Sequence, residues 1–292
     1  MEGVANNLQG KLPMNEEEFA SFRDLIHKEF GIIMKGDKRL TLHAKLSHRL
    51  TILGLASYRQ YYDFIVSDPS REELFHVISH ITNNETYFQR EIARLTLFAG
   101  LLTDIKRSKQ KENKNSIKFL SAGCSSGEEV YTLSIMVMES GLFAWGWDVN
   151  VIGIDVNRNV LKRARHAEYT RNSFRMLNGN EEFMQKYFDR DGDLYVLKKP
   201  YRSHAEFRHG NILEPSSFEG IGSVDAIFCR NVFIYMSDQA IASITENFYR
   251  HLSRDGYLFI GSSESLVNKT DLFVPEYRDG IIVYKKNPSL SS

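Results

Sequence analysis

The sequence predicts an α/β protein with a mostly parallel sheet and an antiparallel edge, preceded by a small all-helical N-terminal domain and interrupted by a small inserted β-subdomain. Three observations carry that expectation. From Ile117 onward short apolar runs alternate with amphipathic stretches, the pattern of a parallel sheet covered on both faces. Before that point apolar residues recur at helical spacing. The interval from about 169 to 203 is too long for a plain loop and contains DRDGDLYVLKK, a turn followed by an alternating strand.

The helical part reads from its caps. Residues 1–14 are expected to be a disordered tail, and 15–81 the helical domain with its linker helix. Asn15 with Glu18 makes a capping box ahead of Phe19, Phe22, Ile26 and Phe30. Asp37 is expected to cap a second helix whose Leu42, Leu46, Leu50 and Leu53 form one stripe ending at Gly54. Ser57 with Gln60 starts a third helix, and Asp68 with Pro69 at the first helical position starts a fourth carrying Leu74, Val77, Ile78 and Ile81. On the second helix Lys38, Lys45 and Arg49 fall in a narrow band beside the leucines. That basic edge is either a solvated face or a dock for an acidic helical partner.

The sheet domain is expected over 82–287, with 288–292 a tail. The mixed basic run from Lys106 to Lys114 reads as a solvated connection into the first strand. Strands are expected at Lys118–Ala122, Val149–Asp155, Glu206–Asn211, Asp225–Cys229, Tyr257–Gly261 and Ile281–Lys285. Asp279-Gly280, between Phe273–Tyr277 and Ile281–Tyr284, marks a terminal hairpin and the antiparallel edge.

Composition narrows the function classes. Lys plus Arg equals Asp plus Glu at 37 each, so nucleic-acid binding through bulk charge is disfavoured. No apolar stretch approaches the roughly 20 residues that span a bilayer, and the N-terminus lacks a signal pattern, so a cytoplasmic protein without direct membrane insertion is expected. Cys124 and Cys229 have no Cys-x-x-Cys or Cys/His companion and read as small apolar residues, with no metal expected.

The chemistry concentrates at strand ends, where open α/β sheets bind ligands. IKFLSAGCSSGEEVYTLSIMVM runs from strand through a glycine turn into a helix, the form of a nucleotide-cofactor loop, with Gly123 and Gly127 spaced G-x-x-x-G. Glu128 and Glu129 in the first helical turn would repel a pyrophosphate but suit a cationic ligand such as the ammonium of S-adenosylmethionine. An NAD-linked dehydrogenase is thereby disfavoured. Asp155, 28 positions after Gly127, ends the second strand where it can accept from ribose hydroxyls or cap a helix. Asn211 and Ile212 end the third, suited to an adenine edge and face. VDAIFCRNVFIY ends the fourth with Arg230, Asn231 and, four residues on, Tyr235. Upstream, HITNNETYFQREIARL sets Asn84, Thr86 and Arg90 in a polar segment between apolar helices.

Thr86-x-x-x-Arg90, Gly123-x-Ser-x-Gly-Glu-Glu129, Asp155 and Arg230-Asn-Val-x-Ile-Tyr235 together closely resemble the chemoreceptor glutamate O-methyltransferase family of CheR type, over nearly the whole chain from about Asn15 to Lys285. The resemblance implies a Rossmann-like methyltransferase fold that uses S-adenosyl-L-methionine. It implies methyl transfer to glutamate side chains on the cytoplasmic helical region of chemoreceptors, giving methyl esters and S-adenosyl-L-homocysteine. It further implies that Asn84, Thr86, Arg90, Glu129, Asp155, Asn211, Ile212, Asn231 and Val232 line the cofactor site with Gly123, and that Arg90 and Tyr235 lie near the transferred methyl. Members differ in whether the insert also binds a receptor C-terminal tail. Two alternatives stay open: a non-catalytic S-adenosylmethionine-sensing protein that docks receptors, and a methyltransferase of the same fold with another carboxyl acceptor.

Overall fold

The computed structural model describes residues 13–177 and 181–290, which fall into two compact units divided between Asn83 and Asn84. Of the tails expected at 1–14 and 288–292, residues 1–12 and 291–292 lie outside the described residues; Met14 is buried, and Pro288–Leu290 form a 3-10 turn.

The first unit contains α1 (Glu16–Phe30), α2 (Arg39–Ile52), α3 (Tyr58–Ser67) and α4 (Glu72–Ile81). Both halves of the Asn15–Glu18 capping box form, and Gly31 ends α1 with φ +68°. Ser57 caps α3 through the Gln60 amide. Two expected starts shift. Asp37 accepts from the Arg39 amide, yet Lys38 is the residue at the boundary of α2. Pro69 lies in a turn ahead of α4, whose boundary residue is Arg71; Asp68 reaches across that turn to the amides of Ser70 and Glu73. The core is aromatic: Phe22, with no exposed surface, meets Tyr58, Tyr61 and Tyr62 at ring separations of 6.3, 5.8 and 5.9 Å.

The second unit opens with a non-helical segment and α5 (Ile92–Lys111). It continues through β1 (Ser116–Ala122), α6 (Glu128–Glu139), β2 (Asp148–Asp155) and α7 (Arg158–His166). The insert follows as β3 (Glu168–Tyr169), α8 (Glu181–Tyr187), β4 (Phe188–Asp191), β5 (Leu194–Leu197) and α9 (Lys199–Arg202). Then come β6 (Ala205–His209), β7 (Val224–Cys229), α10 (Asp238–His251), β8 (Leu252–Ile260), β9 (Phe273–Arg278) and β10 (Ile281–Lys286). The run from Lys106 is not a loop: it forms the last turns of α5, and buried Lys109 pairs with Asp225 at 2.7 Å.

The main sheet has the order β6-β2-β1-β7-β8-β10-β9, parallel except that β10 is antiparallel to β8 and β9. Alternate residues feed opposite cores. Phe119, Val151, Phe228 and Phe259 join Phe98 of α5 and Leu133 of α6, whereas Leu120, Ile152, Ile227 and Leu258 join Ile244 and Phe248 of α10. The insert is a separate antiparallel sheet, β3-β5-β4, sharing a core with Phe88, Tyr131 and Phe174. Among the described residues no helix is long and apolar enough to cross a membrane.

Candidate active site

Chain winding reverses between β1 and β7, so the loops after β1, β2 and β7 meet at the carboxyl edge of the sheet. At the first of these, Gly123 has φ +80°, and a Cβ there would lie 2.7 Å from Val232 Cγ2. The loop after β1 therefore rests directly on the loop after β7. Ser125, itself left-handed at φ +51°, donates its amide to Asp155 Oδ2 at 2.8 Å and its hydroxyl to the Asn84 carbonyl at 2.9 Å. Four sequence-selected positions, Asn84, Gly123, Asp155 and Val232, thus converge on one turn.

Asp155 is buried; its second oxygen accepts from the Asn157 amide at 2.8 Å, and burial pushes its carboxyl upward. The same oxygens retain lone pairs for further donors. Asn211 and Ile212 lie just past the end of β6, which stops at His209, not at Asn211 as expected. Asn211 Oδ1 accepts from the Leu213 amide at 3.1 Å, and the carbonyl of buried Ile212 accepts from Asn247.

The paired acids of α6 part ways. Glu129 accepts from Ser121 Oγ at 2.7 Å and from Arg230 Nη1 at 2.9 Å. Glu128 turns inward, accepting from Ser126 Oγ at 2.7 Å and from Ser173 Oγ of the insert at 2.9 Å. Its near-complete burial pushes its carboxyl upward. Glu128 therefore does not face a ligand alongside Glu129; it is a strut between the loop and the insert.

Arg230 sits between two carboxylates. Besides Glu129 it approaches Glu91 Oε2 at 3.4 Å and donates to the Arg90 carbonyl. Glu91, left-handed at φ +53°, also accepts from Ser262 and Asn231 and lies 3.6 Å from Arg94. Burial would raise the Glu91 carboxyl, but the Arg230 charge, Arg94 and Ser262 hold it below the ordinary range. Asn231 is left-handed too, at φ +59°, with its amide on Glu264 Oε2 at 2.9 Å. Among the described residues three buried side-chain atoms have no hydrogen-bond partner, Glu91 Oε2, Arg230 Nε and Asn231 Oδ1, and all belong to this cluster. Such atoms normally find partners; Glu91 Oε2 has the Arg230 and Arg94 charges in their place, and Asn231 Oδ1 is the acceptor left over in this cluster, which fits a polar, cationic ligand group.

The segment from Asn84 to Glu91 is pinned by the insert and α6. The Thr86 carbonyl accepts from Arg175, Phe88 stacks on Phe174 at 5.0 Å, and the Gln89 amide donates to Thr132. Arg90 donates to the Glu85 carbonyl at 2.8 Å and lies over the Tyr87 ring. Tyr235 ends the 3-10 turn Phe233–Tyr235 and is 38% exposed, a position open to an incoming substrate. Lys38, Lys45 and Arg49 are on the helical unit: the lysines are exposed, but Arg49 is bound to Glu73 at 2.8 and 2.6 Å and is not a free member of the basic edge. Sequence reasoning missed Glu91 and Glu264. The available signals were an acid directly after Arg90 and another four residues beyond the end of β8.

A family model described as CheR methyltransferase, SAM binding domain, matches residues 84–278, and one described as CheR methyltransferase, all-alpha domain, matches residues 17–82. Chemotaxis protein methyltransferase 2 of Vibrio cholerae serotype O1 is 31% identical over 284 residues, covering 96% of this chain and 97% of that protein. Chemotaxis protein methyltransferase of Borreliella burgdorferi is 28% identical, covering 91% and 96%. Chemotaxis protein methyltransferase 1 of Pseudomonas aeruginosa is 30% identical, covering 87% and 92%.

Proposed function

The chain belongs to the CheR methyltransferase family, and we propose that it methylates glutamate side chains of chemoreceptors, forming glutamate methyl esters that serve adaptation in chemotaxis signalling. It is an enzyme that uses S-adenosyl-L-methionine. The observation that most supports this reading is Glu129, fixed by Ser121 and Arg230 in the same cluster as the unpartnered Asn231 Oδ1, a pair that suits the cofactor ammonium. The glutamate acceptor is supported by the matching family and relatives.

When bound, S-adenosylmethionine supplies an electrophilic methyl and leaves as a thioether. A glutamate acceptor, with an ordinary pKa of about 4.3, is already an oxyanion at neutral pH, so the chain needs no general base. Its task is positioning, worth roughly 7–11 kcal/mol where alignment is good. In this reading Glu129 and Asn231 hold the ammonium and Asp155 the ribose. Asn211 and Ile212 take the adenine, and Asn84, Thr86, Gly123 and Val232 close the cavity. Arg90 holds a carboxylate, of the acceptor or of the cofactor, and Tyr235 steadies the reacting centre.

The partner is the cytoplasmic helical region of a chemoreceptor, approached through exposed Lys38 and Lys45. The insert offers β4, paired on one side by β5, to a receptor tail. The cytoplasm is the compartment that receptor region requires.

Methyl-labelled cofactor incubated with receptor cytoplasmic fragments tests the proposal. The label is expected on glutamate and to leave as methanol in mild alkali. Alkali-stable label would replace the ester by another linkage, and tight cofactor binding without transfer would favour a sensing protein. Arg90→Ala and Tyr235→Phe are expected to lower turnover at least about tenfold while cofactor affinity changes under about threefold by calorimetry. Equal losses of both would remove their role near the methyl.

A further inference from the structure

The outer face of α7 is a basic surface that the proposed chemistry does not use. Its nine residues include Arg158, Lys162, Arg163, Arg165 and His166 and no acid. All five are exposed, while Val160, Leu161 and Ala164 fill the inner face. At 100° per residue the basic side chains cover the whole arc left by those three.

Helix electrostatics explain only part of this. Arg163, Arg165 and His166 in the last turn suit the negative end of the helix dipole. Arg158 and Lys162 do not, and their like charges stand four residues apart, a destabilising spacing. Elsewhere some exposed arginines are matched with acids, as in Arg59 with Asp63 and Arg250 with Glu246. Among the described residues no carboxylate lies within ion-pair distance of Lys162, Arg163, Arg165 or His166, although Arg165 donates to the Phe207 carbonyl at 2.9 Å and the Arg163 charge is felt by Glu128. The excess is local, since the chain as a whole has formal net charge +0.

The position of α7 gives that excess a use. Its inner face lies on the cofactor loop: a Cβ on Gly127 would be 3.0 Å from Ala164 Cβ, and Tyr131 donates its hydroxyl to the Ala164 carbonyl at 2.8 Å. At its end, the Ala167 carbonyl accepts from Leu197 of β5 at 3.0 Å, so the same helix abuts the insert. The basic outer face is the side of this helix turned away from the loop, next to the insert.

We propose that the outer face of α7 docks an acidic segment of the acceptor protein, one carrying carboxylates beyond the glutamate that reacts. The inference rests on the glutamate-acceptor reading. The face contains no aromatic or aliphatic side chain to enter a bilayer, which sets it apart from an interfacial membrane helix. Exposed charges of this kind steer encounter more than they hold the complex.

Stopped-flow binding of a glutamate-rich receptor fragment to full-length protein, at several salt concentrations, provides the test. Lys162→Glu with Arg163→Glu is expected to lower the association rate constant about tenfold at low salt, converging on wild type near about 0.5 M. Dissociation, cofactor affinity and turnover at saturating fragment are expected to stay at wild-type values, and Lys162→Arg to behave as wild type. Unchanged association with esterification intact would overturn the inference alone. Failure of the wild-type protein to bind or esterify any such fragment would overturn the glutamate reading with it. A loss of cofactor affinity matching the loss of association would make the face structural, and a defect confined to anionic vesicles or nucleic acid would assign it another partner; either result refutes the proposal.

Discussion

Two buried arginine–glutamate clusters, one in each unit, use the same residue types and end in opposite states of completion. In the helical unit Glu73 receives two guanidinium hydrogen bonds from Arg49 and a third from Tyr61 Oη at 2.7 Å, and neither carboxylate oxygen is left over. At the strand ends one guanidinium is divided between Glu129 and Glu91, and Glu91 Oε2, Arg230 Nε and Asn231 Oδ1 remain without hydrogen-bond partners. A closed cluster can only stabilise the fold. An open one holds charge and hydrogen-bonding capacity ready for something that arrives later, and its loops are left-handed at Glu91, Ser125 and Asn231 to keep it so.

The comparison breaks most visibly at the closed cluster. Arg49→Met leaves the Glu73 carboxylate buried with only the Tyr61 hydroxyl donating to it, and is expected to cost the helical unit about 3 kcal/mol. Burial would raise the Glu73 carboxyl, but the hydrogen bonds from Arg49 and Tyr61 outweigh it and hold it below its ordinary value of 4.5. The contribution is therefore full above that value and is lost as the pH falls through the lowered one. Urea unfolding at neutral pH should show the deficit, and the gap to wild type should narrow on acidification. Cofactor affinity should not move. A variant as stable as wild type would mean that the cluster is idle.

At the open cluster the loss should appear in binding and not in folding. Glu129→Gln keeps an acceptor for Ser121 but removes the charge proposed to face the cofactor ammonium, and Glu91 remains to neutralise Arg230. A weakening of about 2 kcal/mol, roughly thirtyfold in affinity, is expected by calorimetry, with the cofactor-free melting temperature little changed. If stability fell and affinity held, the two clusters would be of one kind.

The residues told much of this, unevenly. Apolar runs at β1, β2, β7 and β8 were legible because strands buried on both faces need no polar alternation. Asn15 and Ser57 were legible because capping is a contact over three residues. The Arg49–Glu73 pair was not, because its partners lie 24 residues apart on different helices and the lysines beside Arg49 suggested one shared face. Gly123, Asp155 and Asn231 were legible because they stand at strand ends and Glu129 because it opens the helix after the glycine turn, whereas Asn84 was legible only as part of a polar segment between helices and through the family resemblance. The identity of their neighbours Glu91 and Glu264 depended on loops whose left-handed turns have no glycine to announce them.

Glu128 and Glu129 sharpen the comparison at the smallest scale, because they are consecutive in sequence and differ only in what the fold sets against them. A step of about 100° along α6 turns Glu128 toward Ser173 and away from the site. Burial raises its carboxyl above the ordinary 4.5, so its contribution to stability is full below that value and is lost as the pH rises through the raised one. Glu128→Gln carries no charge to bury. It is expected to match wild type at acidic pH, to exceed it in stability at pH 8, and to bind cofactor as wild type does. Thermal unfolding across that range, with calorimetry at neutral pH, reads both quantities. A Gln variant that lost cofactor affinity as Glu129→Gln is expected to would place both acids in the site, and the inward turn of Glu128 would then need another explanation.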